Sequence, residues 1–308
     1  MNKHIPVLLK ESIDYLNIKK DGVYVDCTLG RGGHSSEILK KLTSGMLYCI
    51  DQDVTAIEEG KNKLSKISSR FKILESNFKD IAMMLALNNV LKVDGILYDL
   101  GVSSPQFDIP ERGFSYRFNG PLDMRMDIVN NPVTAETILN TYSQEDLEKI
   151  LWNYADEKFA RSIVKNIIQA RPISTTFELV DIVKKSLPAK VLNSPKHPAK
   201  KTFQALRIAV NDEFESLKQS LQQSLVLLKQ KGRIVVITFH SLEEKIIKEV
   251  FKKETLDEQK YFLNNLPFAF ESDKQFKLVI TKPLKPSKTE LEKNKRSHSA
   301  KLWVIEKK

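Results

Sequence analysis

The sequence has few cysteines, no long apolar run and no leader-like segment, and each shortage excludes a class of protein. Its two cysteines, Cys27 and Cys49, lie in apolar runs that are typical of strands, which favours buried, reduced thiols over a disulfide framework. The N-terminal residues lack the apolar core and cleavage site of a signal peptide. No apolar run approaches the roughly 18 residues that a membrane span needs. We therefore expect a soluble, cytoplasmic protein with no membrane partner.

Metal-binding spacings are also missing. The five histidines are not grouped as metal ligands, and neither cysteine has a second cysteine two or three residues away. We expect no metal site.

Positive charge is concentrated at one end of the chain. The net charge is +10, and residues 274–308 contain eleven Lys or Arg against three acids, so this segment carries +8 of it. Focused positive charge attracts phosphate backbones. A lysine-rich composition that only maintains solubility stays open as the alternative.

Alternation of β-rich and helical patterns predicts an α/β fold with a parallel sheet. Helical patterns separate the early strands and follow the strand at 233–239. The predicted strands are 23–27, 46–51, 71–74, 93–99, 233–239, 276–281 and 301–306.

A different pattern occupies the middle of the chain. Helical spacing indicates a helix beginning at Ser143, a stop at Arg171-Pro172, a helix from Thr176, and a long helix from about Thr202 to Lys229 ending at Gly232. We therefore predict one α/β domain, residues 1–104 and 213–308, interrupted by an all-helical insertion, residues 105–212.

A glycine-rich turn follows the first strand. The segment from Asp26 to Ser35 reads DCTLGRGGHS, and its glycines let the backbone turn sharply beside a ligand at the carboxyl edge of the sheet. Asp51 ends the next strand about 20 residues on, where an acid can accept hydrogen bonds from ribose hydroxyls. This layout fits either a dinucleotide or S-adenosylmethionine.

Two details favour S-adenosylmethionine. Ser35 stands where a dinucleotide fingerprint has its third glycine. A carboxylate at Asp26 would also repel a pyrophosphate by a few kcal/mol, on the order expected for close charges in a partly buried site. S-adenosylmethionine carries a sulfonium and an ammonium instead of phosphate, so an acid-lined pocket suits it.

Asp99 ends the fourth strand at the same edge. An exocyclic amine on a base is a weak nucleophile, and a carboxylate with nearby carbonyls can hold its N–H groups so that the nitrogen lone pair points at the methyl. Cys27 and Cys49 lie within predicted strands, so a cysteine nucleophile has no candidate and the acceptor is nitrogen or oxygen. A turn-forming or capping role for Asp99 is the alternative.

Several blocks in order resemble the bacterial ribosomal RNA small subunit methyltransferase H family, which methylates the N4 amine of a cytidine in 16S rRNA. The blocks are His4–Leu9, Asp26–Ser35, Asp99–Gln106, Arg112–Tyr116, Pro121–Asp127, His197–Ile208, Phe239–Glu243 and Ser299–Leu302. The resemblance implies a Rossmann-like methyltransferase sheet with a helical insertion.

The resemblance also implies site residues. Gly32, Gly33 and His34 would contact the cofactor, Asp51 its ribose, Phe78 and Asp99 the adenine and the methyl-bearing end, and Gln106 would also reach it. The loop after Asp99 departs from the Asp/Asn-Pro-Pro-aromatic motif of DNA amino-methyltransferases, so Ser103 and Ser104 are only candidates for holding the amine. Lys201 replaces an expected Arg, which keeps charge but not bidentate phosphate binding.

A single cytidine must be presented unstacked, because its amine is inaccessible within a paired helix. Arg112–Arg117 interleaves arginines with aromatics, as a base-stacking and phosphate-gripping loop would. We expect RNA binding or a lid function for it; packing between domains is the alternative. The predicted partner is 16S ribosomal RNA within the small subunit. A basic rim would comprise Lys196, Lys200, Lys201, Arg207, Lys285, Lys288, Lys293, Lys295 and Arg296.

Three other functions stay open. A DNA amino-methyltransferase is disfavoured by the missing Pro-Pro-aromatic motif, and a non-catalytic RNA-binding assembly factor by the set of Asp26, Asp51 and Asp99. A dehydrogenase is disfavoured by the imperfect glycine pattern.

Overall fold

The computed structural model describes residues 5–256 and 274–308; His4, the first residue of the family-like blocks, lies outside them. The chain divides into two compact units, residues 1–101 with 215–308, and residues 102–214. Within the described ranges no helix is long and apolar enough to cross a membrane.

The first unit is built on a seven-stranded sheet, which confirms the predicted Rossmann-like α/β class. The strand order is β3-β2-β1-β4-β5-β7-β6, and the five strands from β3 to β5 are parallel, while β7 is antiparallel to both of its neighbours. The strands are β1 Val23–Asp26, β2 Met46–Asp51, β3 Phe71–Glu75, β4 Val93–Asp99, β5 Leu228–Thr238, β6 Phe276–Leu278 and β7 Lys301–Lys307.

Both faces of the sheet are covered, which is why its central strands read as continuous apolar runs. In β4, Ile96 and Tyr98 join the core on one face and Leu97 joins the core on the other, because successive side chains of a strand point to opposite sides. The Tyr98 hydroxyl is buried and hydrogen-bonds to Ser220 at 2.6 Å and Ser224 at 2.7 Å. The sheet is therefore a rigid base for groups at its carboxyl edge.

The described helices are, in chain order, α1 Leu9–Leu16, α2 Gly33–Lys41, α3 Val54–Leu64, α4 Ile81–Ala86, α5 Ser104–Asp108, α6 Ala135–Thr141, α7 Gln144–Ala155, α8 Ala160–Ala170, α9 Thr176–Lys185, α10 Ala189–Leu192, α11 Lys200–Asn211, α12 Glu213–Leu227, α13 Ser241–Thr255 and α14 Lys288–Lys293.

The second unit packs its helices on a core of its own. Ser143 caps α7 by accepting a hydrogen bond from the Asp146 amide at 3.1 Å, so the predicted helix start is confirmed. Helix α8 ends at Ala170, before the predicted stop, and buries Ile163, Val164 and Ile167 on one face.

The single long helix expected from Thr202 to Lys229 is wrong. Asp212 adopts a left-handed conformation with φ of 48°, which ends α11, and α12 begins at the next residue. Strand β5 then starts at Leu228, so Gly232 lies inside a strand and caps no helix. Asp is one of the residues that tolerates this conformation, and the apolar spacing continues across it, which hides the break in the sequence.

Candidate active site at the carboxyl edge of the sheet

Three aspartates end three neighbouring strands of the first unit. Asp26 ends β1, Asp51 ends β2 and Asp99 ends β4, and β1 lies between the other two strands. Parallel strands bring their carboxyl ends to one edge, which is where α/β sheets bind ligands. The structure thus brings together the three acids that the sequence singles out.

Asp26 holds the turn together. Its side chain is buried, with Oδ2 accepting a hydrogen bond from the Ser35 hydroxyl at 2.6 Å and Oδ1 accepting one from the Thr28 amide at 3.1 Å. Ser35, at the position of the missing third glycine, is therefore a partner of this carboxylate. Asp26 contributes negative charge to the edge, while its oxygens are engaged within the protein.

Thr28 links the ends of β1 and β4 and was not found by the sequence reasoning. Its hydroxyl accepts a hydrogen bond from the Asp99 amide at 2.7 Å and lies 3.4 Å from Asp26 Oδ1. Only the parallel register that places β1 beside β4 creates this bond, so no local signal in the sequence marks it.

The glycine-rich turn needs its glycines for two different reasons. Gly32 immediately precedes α2 and has φ of +65°, a backbone conformation in which a residue with a side chain would be strained. Gly33 lies against Pro6, and a Cβ there would collide with the proline Cγ. The N-terminal segment therefore crosses the start of α2 with no room for a side chain between them.

Asp51 fixes the loop from the side of β2. Its Oδ2 accepts a hydrogen bond from the Gly30 amide at 2.8 Å and its Oδ1 one from the Asp53 amide at 3.0 Å. Burial raises the pKa of the Asp51 carboxyl to about 6, against the lowering effect of these bonds. The Gln52 amide is a third backbone donor to this carboxyl, so of the about four lone-pair sites of a carboxylate one stays open to a ligand hydroxyl.

Asp99 is the least satisfied acid of the edge. Burial raises the pKa of its carboxyl to about 6; His34 opposes the shift, and the charges of Asp26 and Glu243 add to it. Its Oδ1 is buried and has no hydrogen-bond partner in the described part of the chain. Buried acceptors are nearly always paired in folded proteins, so an N–H donor or a cation would complete this group.

The His34 side chain lies next to the Asp99 carboxylate. Its ring is 4% exposed, with Nε2 3.1 Å from the Val7 carbonyl oxygen and Nδ1 3.5 Å from Asp99 Oδ2. The side chain thus faces the protein interior and the Asp99 carboxylate.

Phe78 follows β3 on a short 3-10 helix, Phe78–Asp80. Its half-buried ring packs edge-on against Tyr98, with centroids 5.8 Å apart and an interplanar angle of 80°. Asn77 caps this turn and also donates a hydrogen bond to Gln52 at 3.0 Å.

The sequence profile of the MraW methylase family matches residues 1–308. The chain belongs to the MraW methylase family. A ribosomal RNA small subunit methyltransferase H of Mesoplasma florum is 72% identical over 308 residues and covers all of both chains. A protein of the same name from Spiroplasma kunkelii is 51% identical, and the match covers 99% of this chain and 98% of that protein. Another from Exiguobacterium sibiricum is 48% identical, and the match covers 100% of this chain and 99% of that protein. The family predicted from the sequence blocks is confirmed.

Among solved structures, an rRNA methylase from Streptococcus thermophilus aligns with 97% of this chain and 93% of its own, with 10% identity and a TM-score of 0.43. That likeness is too low to carry an inference.

Three predicted site residues of this methylase belong to its second unit. The Ser103 amide donates a hydrogen bond to Gln106 Oε1 at 3.0 Å, the Gln106 side chain is buried, and Ser104 begins α5. Their roles toward the cofactor and the amine stay predictions.

The aromatic–arginine loop of the methylase is largely packed within the second unit. Phe114 is 3% exposed in that unit's core, and Tyr116 stacks on His197 with ring centroids 4.2 Å apart. Arg112 donates to the Arg125 carbonyl at 2.9 Å. Phe114 is therefore part of the apolar core and is not a surface ring, while the RNA-binding role of the loop as a whole stays a prediction.

Two members of the predicted basic rim, Arg207 and Lys201, form hydrogen bonds within the protein. Arg207 forms a two-bond ion pair with Glu213, at 2.7 and 2.8 Å, so its guanidinium is committed to a carboxylate rather than to phosphate. Lys201 donates to the Asp156 carbonyl at 2.6 Å but remains exposed. The other members are exposed: Lys196, Lys285, Lys288, Lys293, Lys295, Arg296 and Lys200.

Cysteine and metal chemistry find no support in the described residues. Cys27 lies one residue beyond β1 rather than within it, but both cysteines are buried, and burial raises the pKa of both thiols well above the ordinary value. No group of three or more His, Cys, Asp or Glu in residues 5–256 and 274–308 could hold a metal ion.

Proposed function

We propose that this chain is an S-adenosylmethionine-dependent methyltransferase that modifies the N4 amine of a decoding-centre cytidine in 16S ribosomal RNA. The observation that carries the proposal is Asp99: a carboxylate at the carboxyl edge of a methylase sheet with one buried oxygen that lacks a partner. High identity to proteins named ribosomal RNA small subunit methyltransferase H supports the substrate.

The acids of the edge fit the proposed cofactor. S-adenosylmethionine supplies an electrophilic methyl group, and its sulfonium and ammonium are attracted by Asp26, Asp51 and Asp99. The backbone of Gly32, Gly33 and His34 would lie along it, Asp51 would accept its ribose hydroxyls and Phe78 would pack on its adenine. Gln106 is proposed as a further cofactor-binding residue.

Asp99 would orient the acceptor. As an ionised carboxylate, Oδ1 can accept one N–H of the exocyclic amine, which turns the nitrogen lone pair out of conjugation with the ring and toward the methyl. Ser103 and Ser104 are proposed as further amine-holding groups.

Residues 105–212, the predicted insertion, fall within the second unit and are proposed as the RNA-recognition part of the chain. Phe118 and Phe177 are 43% and 45% exposed, and they take the place of Phe114 as candidate stacking rings. The Phe118 carbonyl accepts a hydrogen bond at 2.7 Å from Thr176, the neighbour of Phe177, so both rings belong to one part of the unit's surface.

Two measurements test the proposal. Calorimetry with S-adenosylmethionine should give a saturable binding curve, and the same titration with NAD should give none. Purified protein should then transfer labelled methyl to small ribosomal subunits, or to 16S RNA, from cells that lack this gene, with N4-methylcytidine found by mass spectrometry. Label in DNA would favour the amino-methyltransferase alternative. RNA binding with no cofactor binding would favour the non-catalytic assembly factor.

A further inference from the structure

The block Phe239–Glu243 follows β5, the strand beside β4 in the sheet. The two strands are parallel and Asp99 pairs with Ile237, so this block leaves the sheet at the same carboxyl edge as Asp99. Two residues of extended chain advance roughly 7 Å and adjacent strands lie roughly 5 Å apart, which puts the Cα atoms of Phe239 and Asp99 within roughly 10 Å of each other. The Leu100 amide also donates to the Ile237 carbonyl at 3.0 Å, so the two strand ends are joined.

Phe239 and Asp99 lie on the same face of the sheet. Alternate residues of a strand share a face. Leu97 and Ile237 belong to one apolar core, and Asp99 and Phe239 follow them by two residues each. Phe239 packs against this core but is only partly buried, so part of its surface is open to a ligand.

Aromatic side chains are scarce at this end of that face. Among the described residues, the phenylalanines and tyrosines of this core are Tyr15, Tyr24, Phe71 and Phe239. Tyr15 lies in α1, Phe71 begins β3, and the Tyr24 hydroxyl accepts a hydrogen bond from the Lys19 amide ahead of β1. Of these four, Phe239 is the one that follows the carboxyl end of a strand.

The backbone that carries the Phe239 ring is fixed by a buried carboxylate. Glu243 Oε2 accepts hydrogen bonds from the Phe239 amide at 2.6 Å and from the His240 amide at 3.2 Å. The ring also lies along Gly101, two residues after Asp99, where a Cβ would be 3.4 Å from the ring Cδ2. Gly101 has no side chain to place over this edge of the ring. The ring is therefore held in position next to the loop that follows Asp99.

A carboxylate alone does not fix a base. A hydrogen bond from the amine to Asp99 Oδ1 holds one edge, and the base can still rotate about that bond. The amine accepts a methyl group only when its lone pair, which projects from the plane of the base, points at the methyl, so the plane itself must be fixed. An aromatic ring stacked on one face of the base does this, because every base has a π face.

We propose that Phe239 fixes the plane of the acceptor base: its ring stacks on the base while Asp99 Oδ1 accepts an N–H of the amine. This role rests on the proposed methyl transfer. Phe118 and Phe177 of the second unit stay candidates for other bases of the RNA.

The first experiment removes the ring and keeps an apolar side chain. Phe239→Leu should lower kcat/KM for transfer to small ribosomal subunits from cells that lack this gene by about tenfold or more, the usual effect of losing one stacked base. Its Kd for S-adenosylmethionine should stay within about threefold, since the ring is proposed to contact the acceptor and not the cofactor. Phe239→Tyr keeps the ring and should stay within about threefold of wild type in both.

Phe71→Leu is the matched control. It removes a partly buried ring that packs against the same core at the start of β3, so it should lower stability comparably and leave transfer unchanged. Phe239→Met, which also has no π face, is the second variant should Phe239→Leu not fold. Full transfer in Phe239→Leu, an equal loss in Phe71→Leu, or a loss of cofactor affinity as large as the loss of transfer overturns the proposal.

The second experiment distinguishes this proposal from the proposed function. Cytidine added to the free protein should shift the NMR signals of the Phe239 ring protons upfield and in a saturable way, because stacked rings shield each other. The signals are assigned from their loss in Phe239→Leu. The absence of such a shift overturns the stacking even if methyl is transferred. If the shift is present and the wild-type protein transfers no methyl to any nucleic acid, the proposed function fails and the stacking stands.

Discussion

At the scale of single residues, the buried Asp99 carboxylate lowers the stability of the folded state when it is ionised. Its carboxyl pKa is raised from 3.8 to about 6, even with His34 beside it, because burial disfavours the charge. The folded state therefore binds the proton more tightly than the unfolded state does. Stability falls as pH rises from about 4 to about 6, and the cost stays constant above that range.

Asp99→Asn should for this reason make the protein more stable at neutral pH, on the order of 2 kcal/mol after allowance for the partial exposure of the side chain. The gain should shrink as pH falls through 6 and vanish near 4, where the wild-type group is protonated in both states. Urea unfolding at a series of pH values measures it. A variant that is less stable than wild type at neutral pH would contradict the assignment.

Removal of the same carboxylate should abolish catalysis. Asp99→Ala is expected to lower methyl transfer by about a hundredfold or more, since it removes a positioned group that acts on the reacting amine, while the fold stays intact. Steady-state kinetics and circular dichroism together test this. Asp14→Ala, at an exposed acid of α1, is the matched control and should keep full activity. Full activity in Asp99→Ala would remove Asp99 from the mechanism.

Thr28 should matter through its hydroxyl alone. Thr28→Val keeps the shape but leaves the Asp99 amide without its 2.7 Å partner, at an expected loss of about 1–2 kcal/mol in the free energy of unfolding and a lower kcat. Thr28→Ser keeps the hydroxyl and should recover most of both. Equal behaviour of the two variants would show that the hydroxyl is not used.

At the scale of elements, residues 5–8, which we call the N-terminal strap, are held by groups near the end of the chain. Glu290 accepts a hydrogen bond from the Leu8 amide at 2.8 Å, and the Asn294 side chain donates one to the Ile5 carbonyl at 3.0 Å. Asn294 donates to the Ile5 carbonyl, and its Oδ1 also accepts from the Arg296 amide at 3.3 Å. Asn294→Asp keeps the acceptor, removes the donor and places a charge beside a carbonyl. The amides of Val7 and Leu8 should then exchange hydrogen faster by about tenfold, as for the loss of one buried hydrogen bond.

Hydrogen exchange followed by mass spectrometry measures this loosening. Asn193→Asp, at the end of α10, is the matched control and should leave strap exchange unchanged. Unaltered exchange in Asn294→Asp would mean that Glu290 and Pro6 hold the strap without Asn294.

The elements also show what could be predicted from the sequence. Strands β1, β2 and β4 are continuous apolar runs that end in an acid, so both the sheet and its three aspartates could be read directly. The break at Asp212 could not, because apolar spacing continues through it and only the backbone conformation marks it. Thr28 and Ser35 gain their partners from strand register and the turn, and Phe114 its burial from tertiary packing, none of which is visible in local pattern.

For the whole molecule, most of the net positive charge lies near the C-terminus, so we expect its removal to change the affinity for RNA and not the affinity for the cofactor. Residues 274–308 carry +8 of the net +10, and their lysines Lys285, Lys288 and Lys293 are exposed. Lysines that neutralise phosphates release counterions, so the logarithm of affinity falls with the logarithm of salt concentration, by about 0.7 per contact on single strands and about 0.9 on duplexes.

The triple variant Lys285→Gln, Lys288→Gln and Lys293→Gln should therefore bind 16S RNA more weakly at low salt and with a salt dependence smaller by about 0.7–0.9 for each lysine that contacts phosphate. Its Kd for S-adenosylmethionine should not change, because none of the three lysines is among the residues proposed to bind the cofactor at the carboxyl edge of the sheet. The control replaces three exposed lysines elsewhere on the first unit, Lys61, Lys66 and Lys72, with the same loss of charge. If the control weakens RNA binding equally, net charge alone attracts the RNA. A selective effect of the first triple instead assigns the C-terminal segment to the RNA-binding surface, since the two variants differ only in where the charge is lost.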